Sequence, residues 1–166
     1  VVAEDPDDQG GSLARREAYH TALAQHHLET EPALIMYGAQ LVSEGYQAAQ
    51  KIIRSGVKFT ALLASDDNSA VGAMQALRDH GRQIPDDVAV IGFDDQPDAI
   101  SQIPPLTTVH IPLLLIGEQA LALMYDHLTG GHDLQSVQIP TRLVPRQSCG
   151  CIPAFVSSAA APRKSS

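Results

Sequence analysis

The chain has 166 residues, 44% hydrophobic and 18% charged, and 11 Lys and Arg against 19 Asp and Glu give a formal net charge of −8. That length suits about one domain with a single core, and the composition is globular rather than disordered. A chain this acidic, without a Lys/Arg cluster, repels phosphate backbones and is unsuited to sequence-independent nucleic-acid binding by itself.

Apolar segments alternate with helical ones, which predicts an α/β fold with a mostly parallel, doubly wound sheet. The chain opens on Val1-Val2-Ala3, the end of a strand with no initiator Met before it, and so reads as a fragment of a longer polypeptide. A turn-rich loop over Glu4–Gly11 leads to Ser12, which caps a helix to about His26. Ala33–Tyr37 reads as a short buried strand, and Leu41–Ser55 as a second helix stopped by Gly56. Phe59–Ala64 is a strand without polar alternation, as expected when both faces are covered. It ends in Ser65-Asp66-Asp67-Asn68, followed by a helix from about Ser69 to His80 with Gly81 as its stop. Val88–Phe93 is the next strand and ends in Asp94-Asp95. A polar loop reaches Pro104-Pro105 and a short strand at Thr107–His110. Pro112 opens a long helix to about Thr129, and a strand returns around Gln138–Val144. The tail 153–166 is rich in Ser and Ala and reads as flexible. The longest apolar run, Ile111–Ile116, falls far short of the ~18 residues of a span, so no membrane insertion is expected.

In an open parallel sheet, ligands bind beyond the carboxyl ends of the strands. That rule selects the loop leading to Arg15, the Ser65–Asn68 loop and the Asp94–Gln96 loop, with Gly38–Gln40 as a weaker fourth. A guanidinium and several carboxylates suit a hydroxyl-rich ligand, because carboxylates accept from hydroxyls and Arg donates in a planar fork. Each has a plainer alternative. Asp66 or Asp67 can cap the helix that follows, Asp94-Asp95 can form a turn, and Arg15 can be a solvated charge.

No catalytic constellation is present: no Gly-x-Ser-x-Gly elbow, no phosphate-binding glycine loop and no His-Glu-x-x-His. The reading is therefore not an enzyme, and no cofactor is implied. His132, Cys149 and Cys151 are three soft ligands without a fourth, so no metal is expected. A disulfide across one intervening residue must satisfy a narrow Cα–Cα window. Cys149 and Cys151 are accordingly expected to be free thiols in a reducing cytoplasm.

The run Thr60-Ala-Leu-Leu-Ala-Ser-Asp-Asp-Asn-Ser-Ala-Val-Gly-Ala-Met-Gln-Ala-Leu-Arg78, with Gly81-Arg-Gln-Ile-Pro-Asp-Asp-Val-Ala-Val-Ile-Gly-Phe-Asp-Asp95 and Pro105-Leu-Thr-Thr-Val109, closely resembles the lactose-repressor/galactose-repressor family. Arg15-x-x-Ala-Tyr-x-x-Ala-Leu23 and Leu143-Val-Pro-Arg-Gln-Ser-Cys-Gly150 extend the resemblance over nearly all of Val1–Gly150. It implies the carboxyl-terminal half of a two-lobed, periplasmic-binding-protein-like sensor closing on a sugar- or nucleoside-like effector. Residues 1–110 would form one lobe, 111–137 a crossover helix belonging to the other, and 138–152 the returning strand. By position, Arg15, Asp66 and Asp94 resemble the family's ligand-binding residues. Asp66 stands where many relatives have Asn, which favours ligand hydroxyls over carbonyls.

The resemblance implies a LacI-type transcriptional regulator that is cytoplasmic and a homodimer, and that meets DNA only through an amino-terminal domain absent from this chain. The ending around Arg146–Cys151 also resembles sensors fused to histidine kinases or diguanylate cyclases, and a solute-binding receptor is a third reading. The helix from Pro112 is apolar over most of its circumference. It is expected to be covered in any structure of this chain alone, by a second copy or by docking on its own sheet.

Overall fold

The computed structural model describes residues 3–4, 11–37, 41–130 and 135–151. The expected tail, the Gly38–Gln40 loop and His132 lie outside the described residues. The elements are β1 (Ala3–Glu4), α1 (Gly11–Gln25), β2 (Met36–Tyr37), α2 (Val42–Ser55), β3 (Ala61–Leu63), α3 (Asp67–Asp79), β4 (Ala89–Ile91), α4 (Pro97–Ser101), β5 (Thr108–His110), α5 (Leu113–Leu128) and β6 (Arg142–Val144). Two 3-10 turns, Pro32–Leu34 and Gln147–Cys149, complete the order. The strand expected at Ala33–Tyr37 is shortened because Pro32 starts the first of these turns, capped by Glu31 accepting from the Ala33 N–H.

β1 pairs with β2 and β3 with β4, both in parallel, the latter in the register Ala61↔Ala89 to Leu63↔Ile91. Single parallel bridges, Ile91↔Thr107 and Asp94↔His110, carry the pairing on to β5. β5 takes β6 as an antiparallel partner, Thr108↔Val144 to His110↔Arg142. The expected parallel α/β arrangement is present, with β6 as the antiparallel exception.

The core lies where α2 and α3 pack on β3 and β4. Ile52, Met74, Leu77, Val90 and Leu106 are fully buried, each contributing roughly 1.5–3 kcal/mol. The two helices approach closely because their facing positions are small: Gly45, Ala48 and Ala49 on α2, and Gly72, Ala73 and Ala76 on α3. A Cβ at Gly72 would overlap the Val42 carbonyl oxygen and the Tyr46 nitrogen, and one at Gly45 would overlap the Ser69 backbone.

Two expectations are corrected. Cys149 and Cys151 are not free thiols; they form a disulfide. Gly150 between them adopts the left-handed conformation at φ 73°, folding the tripeptide until the Cα atoms are 5.3 Å apart, inside the usual window. The second correction concerns α5, which does not dock on its own sheet. None of its residues is buried, and Leu114 and Leu128 are 80% and 76% exposed. The core closes without it: Leu77, Val90, Ala99 and Leu106 are already sealed from solvent.

Candidate functional site

Because β3 and β4 run parallel in register, the segments that follow them emerge at the same edge of the sheet. The first carries Ser65 and Asp66, the second Phe93 and Asp94. α1 brings Arg15 to the same place, with its guanidinium carbon 4.9 Å from the centroid of the Phe93 ring. This is a cation–π stack, and it leaves the Arg15 Nε buried without a hydrogen-bond partner among the described residues. A cleft of about 320 Å³ opens here, with Arg15 and Tyr19 of α1, Leu63, Ser65, Phe93 and Val109 in its wall.

Asp66 realises the plainer of its two readings. It is the N-cap of α3 at φ −154°, ψ 168°. One carboxylate oxygen accepts from the Ser69 N–H at 2.8 Å, and the other from the Ser65 and Ser69 hydroxyls, each at 2.9 Å. It is 4% exposed and does not line the cleft; its neighbour Ser65 does.

Asp94 is half-buried and adopts φ 109°, a conformation rare for a non-glycine residue. Its N–H donates to the Val109 carbonyl at 2.9 Å. Burial, reinforced by the negative charges of Asp67 and Asp66, pushes its carboxyl up to about 6, with Arg15 pulling the other way. Arg15, Asp66 and Asp94 thus form one electrostatic cluster at one sheet edge. Arg15 is in the cleft wall, while Asp66 and Asp94 adjoin it through Ser65 and Phe93. A carboxyl with a raised pKa can accept from a hydroxyl, the under-satisfied guanidinium beside it can donate to a ring oxygen, and the aromatic face can stack on a flat apolar ring.

Behind this cluster lies Asp95 of the selected loop, held by Arg146 and His110, which local pattern did not single out, with Ser148 beside them. Arg146 donates to the Leu106 carbonyl and to the Asp95 carboxylate, and its N–H donates to the Thr107 hydroxyl. Asp95 also meets His110 Nδ1 at 3.0 Å. Burial raises the Asp95 carboxyl, but the Arg146 hydrogen bond and charge, aided by His110, outweigh it and hold it below its ordinary value. Ser148 is fully buried: its hydroxyl donates to the Val90 carbonyl at 2.6 Å and accepts from the Thr107 N–H at 2.8 Å. Together Arg146 and Ser148 strap the end of the described chain across β4 and β5. Among the described residues, no group of three His, Cys, Asp or Glu side chains is placed to hold a metal ion, and no helix is long and apolar enough to cross a membrane.

The sequence matches the family described as periplasmic binding protein-like domain over residues 1–149. It is 34% identical over 141 residues to the HTH-type transcriptional regulator AscG of Escherichia coli (strain K12), covering 85% of this chain and 42% of that protein. It is 39% identical over 104 residues to the lactose operon repressor of Rhizobium radiobacter, covering 63% of this chain and 92% of that one. Among solved structures, a transcriptional regulator CelR–cellobiose complex superposes with a TM-score of 0.83 at 30% identity, covering 89% of this chain and 46% of that one. Against AscG, and against the HTH-type transcriptional repressor MelR of Bacillus subtilis (strain 168), where coverage is 35%, this chain spans less than half of the relative's length.

Proposed function

The chain belongs to the periplasmic binding protein-like domain family, and from that membership we propose that it is the effector-sensing part of a LacI-type transcriptional regulator. The observation that carries this reading is the meeting of Arg15 and Phe93 in the wall of one cleft on the carboxyl edge of parallel strands, with Asp94 adjoining it. Its effector is a small, hydroxyl-bearing molecule of sugar or nucleoside type. Phe93 and the Leu63–Val109 wall receive a ring face, Arg15 donates, and Asp94 accepts. Asp66 acts by holding the Ser65 side of the cleft through its cap. The relatives are regulators rather than enzymes, and the chain's role is binding.

Residues 1–110 form the sensing lobe, and α5 within 111–137 belongs to a second lobe that covers its exposed leucines. The whole protein is a cytoplasmic homodimer that meets DNA through a separate amino-terminal domain. Exposed Ile100 and Ile103, at 64% and 82%, offer an apolar surface for the partner copy, and one of the similar structures is described as a dimeric Lac repressor.

A thermal-shift screen of sugars and nucleosides on the full-length protein tests the reading, since a ligand that binds only the native state stabilises it by mass action. The reading predicts a concentration-dependent rise in Tm that Arg15→Ala abolishes; no shift with any member of the screen would sink it. The Cys149–Cys151 disulfide favours a second reading, a solute receptor in an oxidising compartment. A secretion signal rather than a helix-turn-helix upstream of this segment would select it.

A further inference from the structure

Asp67 is the second of two consecutive acids, and α3 does not need it as a cap, because Asp66 already accepts from the Ser69 N–H and hydroxyl. Asp67 is nonetheless 1% exposed. Its carboxylate bonds to two other parts of the chain: one oxygen accepts from the Thr108 hydroxyl at 2.6 Å, the other from the Gln96 N–H at 2.7 Å. Gly92 makes the space. A Cβ there would overlap the Asp67 carboxylate and press on Leu106 at 3.0 Å. Burying a carboxylate on two neutral partners is costly, and burial does raise its pKa, with the Thr108 and Gln96 hydrogen bonds opposing. An apolar side chain of similar size would avoid that cost but would orphan the Gln96 N–H and the buried Thr108 hydroxyl, so the acid is there to hold those two donors.

What the carboxylate holds is the turn after β4. Asp94 and Asp95 are consecutive non-glycine residues at positive φ, 109° and 60°, a pairing that persists only where the surroundings impose it. The turn is pinned on one side by the Asp94 N–H on Val109 and on the other by the Gln96 N–H on Asp67. Between them the Asp95 N–H reaches the Thr108 oxygen at 3.3 Å, the same hydroxyl that donates to Asp67.

We propose that Asp67 is the positioning residue of this cleft: its carboxylate, shared between Gln96 and Thr108, holds the 93–96 turn in the backbone conformation that presents Phe93 and Asp94 to Arg15. The proposal rests on the effector-site reading, but its test needs no ligand. Amide hydrogen exchange is followed in the full-length protein at Gln96 and, as reference, at Ala64, whose N–H donates to Ile91 in the core sheet. Asp67→Asn removes the charge but can keep its amide oxygen on the Gln96 N–H and turn its NH2 to the Thr108 oxygen, whereas Asp67→Ala removes both acceptors. In Asp67→Ala the Gln96 amide is expected to exchange roughly tenfold faster relative to Ala64, the loss of about one hydrogen bond. Thr108→Val acts in the same direction, and Thr108→Ser, which keeps the hydroxyl, restores protection. The Asp94 carboxyl, followed by carbon NMR, titrates below about 6 in Asp67→Asn because a repelling charge is gone. Unchanged Gln96 exchange in Asp67→Ala, or acceleration of Gln96 and Ala64 by the same factor, would overturn the proposal, as would a Thr108→Ser variant behaving like Thr108→Val. An empty ligand screen would sink the effector reading and leave this result standing; unchanged Gln96 exchange would do the reverse.

Discussion

Ser148→Ala removes one oxygen atom and exposes the logic of the strap. The hydroxyl sits at 0% exposure, donating to the Val90 carbonyl at 2.6 Å and accepting from the Thr107 N–H at 2.8 Å. Alanine fits the space, so no clash arises, but it leaves a buried donor and a buried acceptor without this partner. Each orphaned group costs about 1–3 kcal/mol, so the variant should lose roughly 2–6 kcal/mol, a large share of the ~5–15 kcal/mol that holds a typical domain together. Urea unfolding of the full-length protein by circular dichroism measures this. With a slope of about 1–3 kcal/mol/M, the midpoint should fall by about 1 M or more at unchanged slope. Ser101→Ala, at an exposed site, should stay within about 0.5 kcal/mol of the parent. A Ser148→Ala midpoint indistinguishable from that control would refute the idea that the strap is held by this hydroxyl.

Three further outcomes are expected. Gly72→Ala places a Cβ against the Val42 carbonyl and the Tyr46 nitrogen, so α2 must shift and Tm should fall by the equivalent of about 1–3 kcal/mol; an unchanged Tm would contradict the close helix packing. Asp94 has a native pKa near 6 against an ordinary 3.8, so between those values the native state binds the extra proton and stability falls as pH rises through about 6. Asp94→Asn removes that slope, and in Tm measured from pH 5 to 7.5 the variant should gain on the parent; parallel curves would rule this out. Asp95 is shifted the other way, so its pairing with Arg146 contributes above its ordinary unfolded value and is lost as pH falls through its lowered native value. Arg146→Gln should therefore be less stable than the parent at pH 7, and the gap should narrow under strongly acidic conditions to what the Leu106 carbonyl contact contributes; a constant gap down to pH 2 would show that the pair is not the source.

Helix positions were readable because their punctuation is chemical. Asp66 caps α3, and Gly56 and Gly81 mark the stops of α2 and α3, where both take positive φ. Strands were overestimated, as at Phe59–Ala64 against Ala61–Leu63, because apolar composition continues after a pairing partner has ended. α4, only Pro97–Ser101, is too short for periodicity to register, so the sequence there shows only a polar loop. The site was legible as three loops and one arginine. Its supports were not: Asp67 reaches Thr108 across 41 positions and Ser148 reaches Val90 across 58, separations that leave no local signature. The disulfide escaped because the left-handed turn at Gly150 decides the Cα–Cα reach. For α5, the apolar stripe is visible in the sequence, but what covers it is not.

The central claim is that Arg15 and Asp94 bind a small hydroxyl-bearing effector. Calorimetry on the full-length protein with the effector found by the thermal screen tests it most directly, comparing the parent with Arg15→Ala and Asp94→Ala. Each truncation should leave ligand groups unpaired, weakening binding by about 1–3 kcal/mol, or roughly 5- to 150-fold. For the parent near pH 6, binding should release protons, because a hydroxyl donating to Asp94 favours its ionised form. Two folded variants with parental affinity, and no proton release near pH 6, would contradict the account.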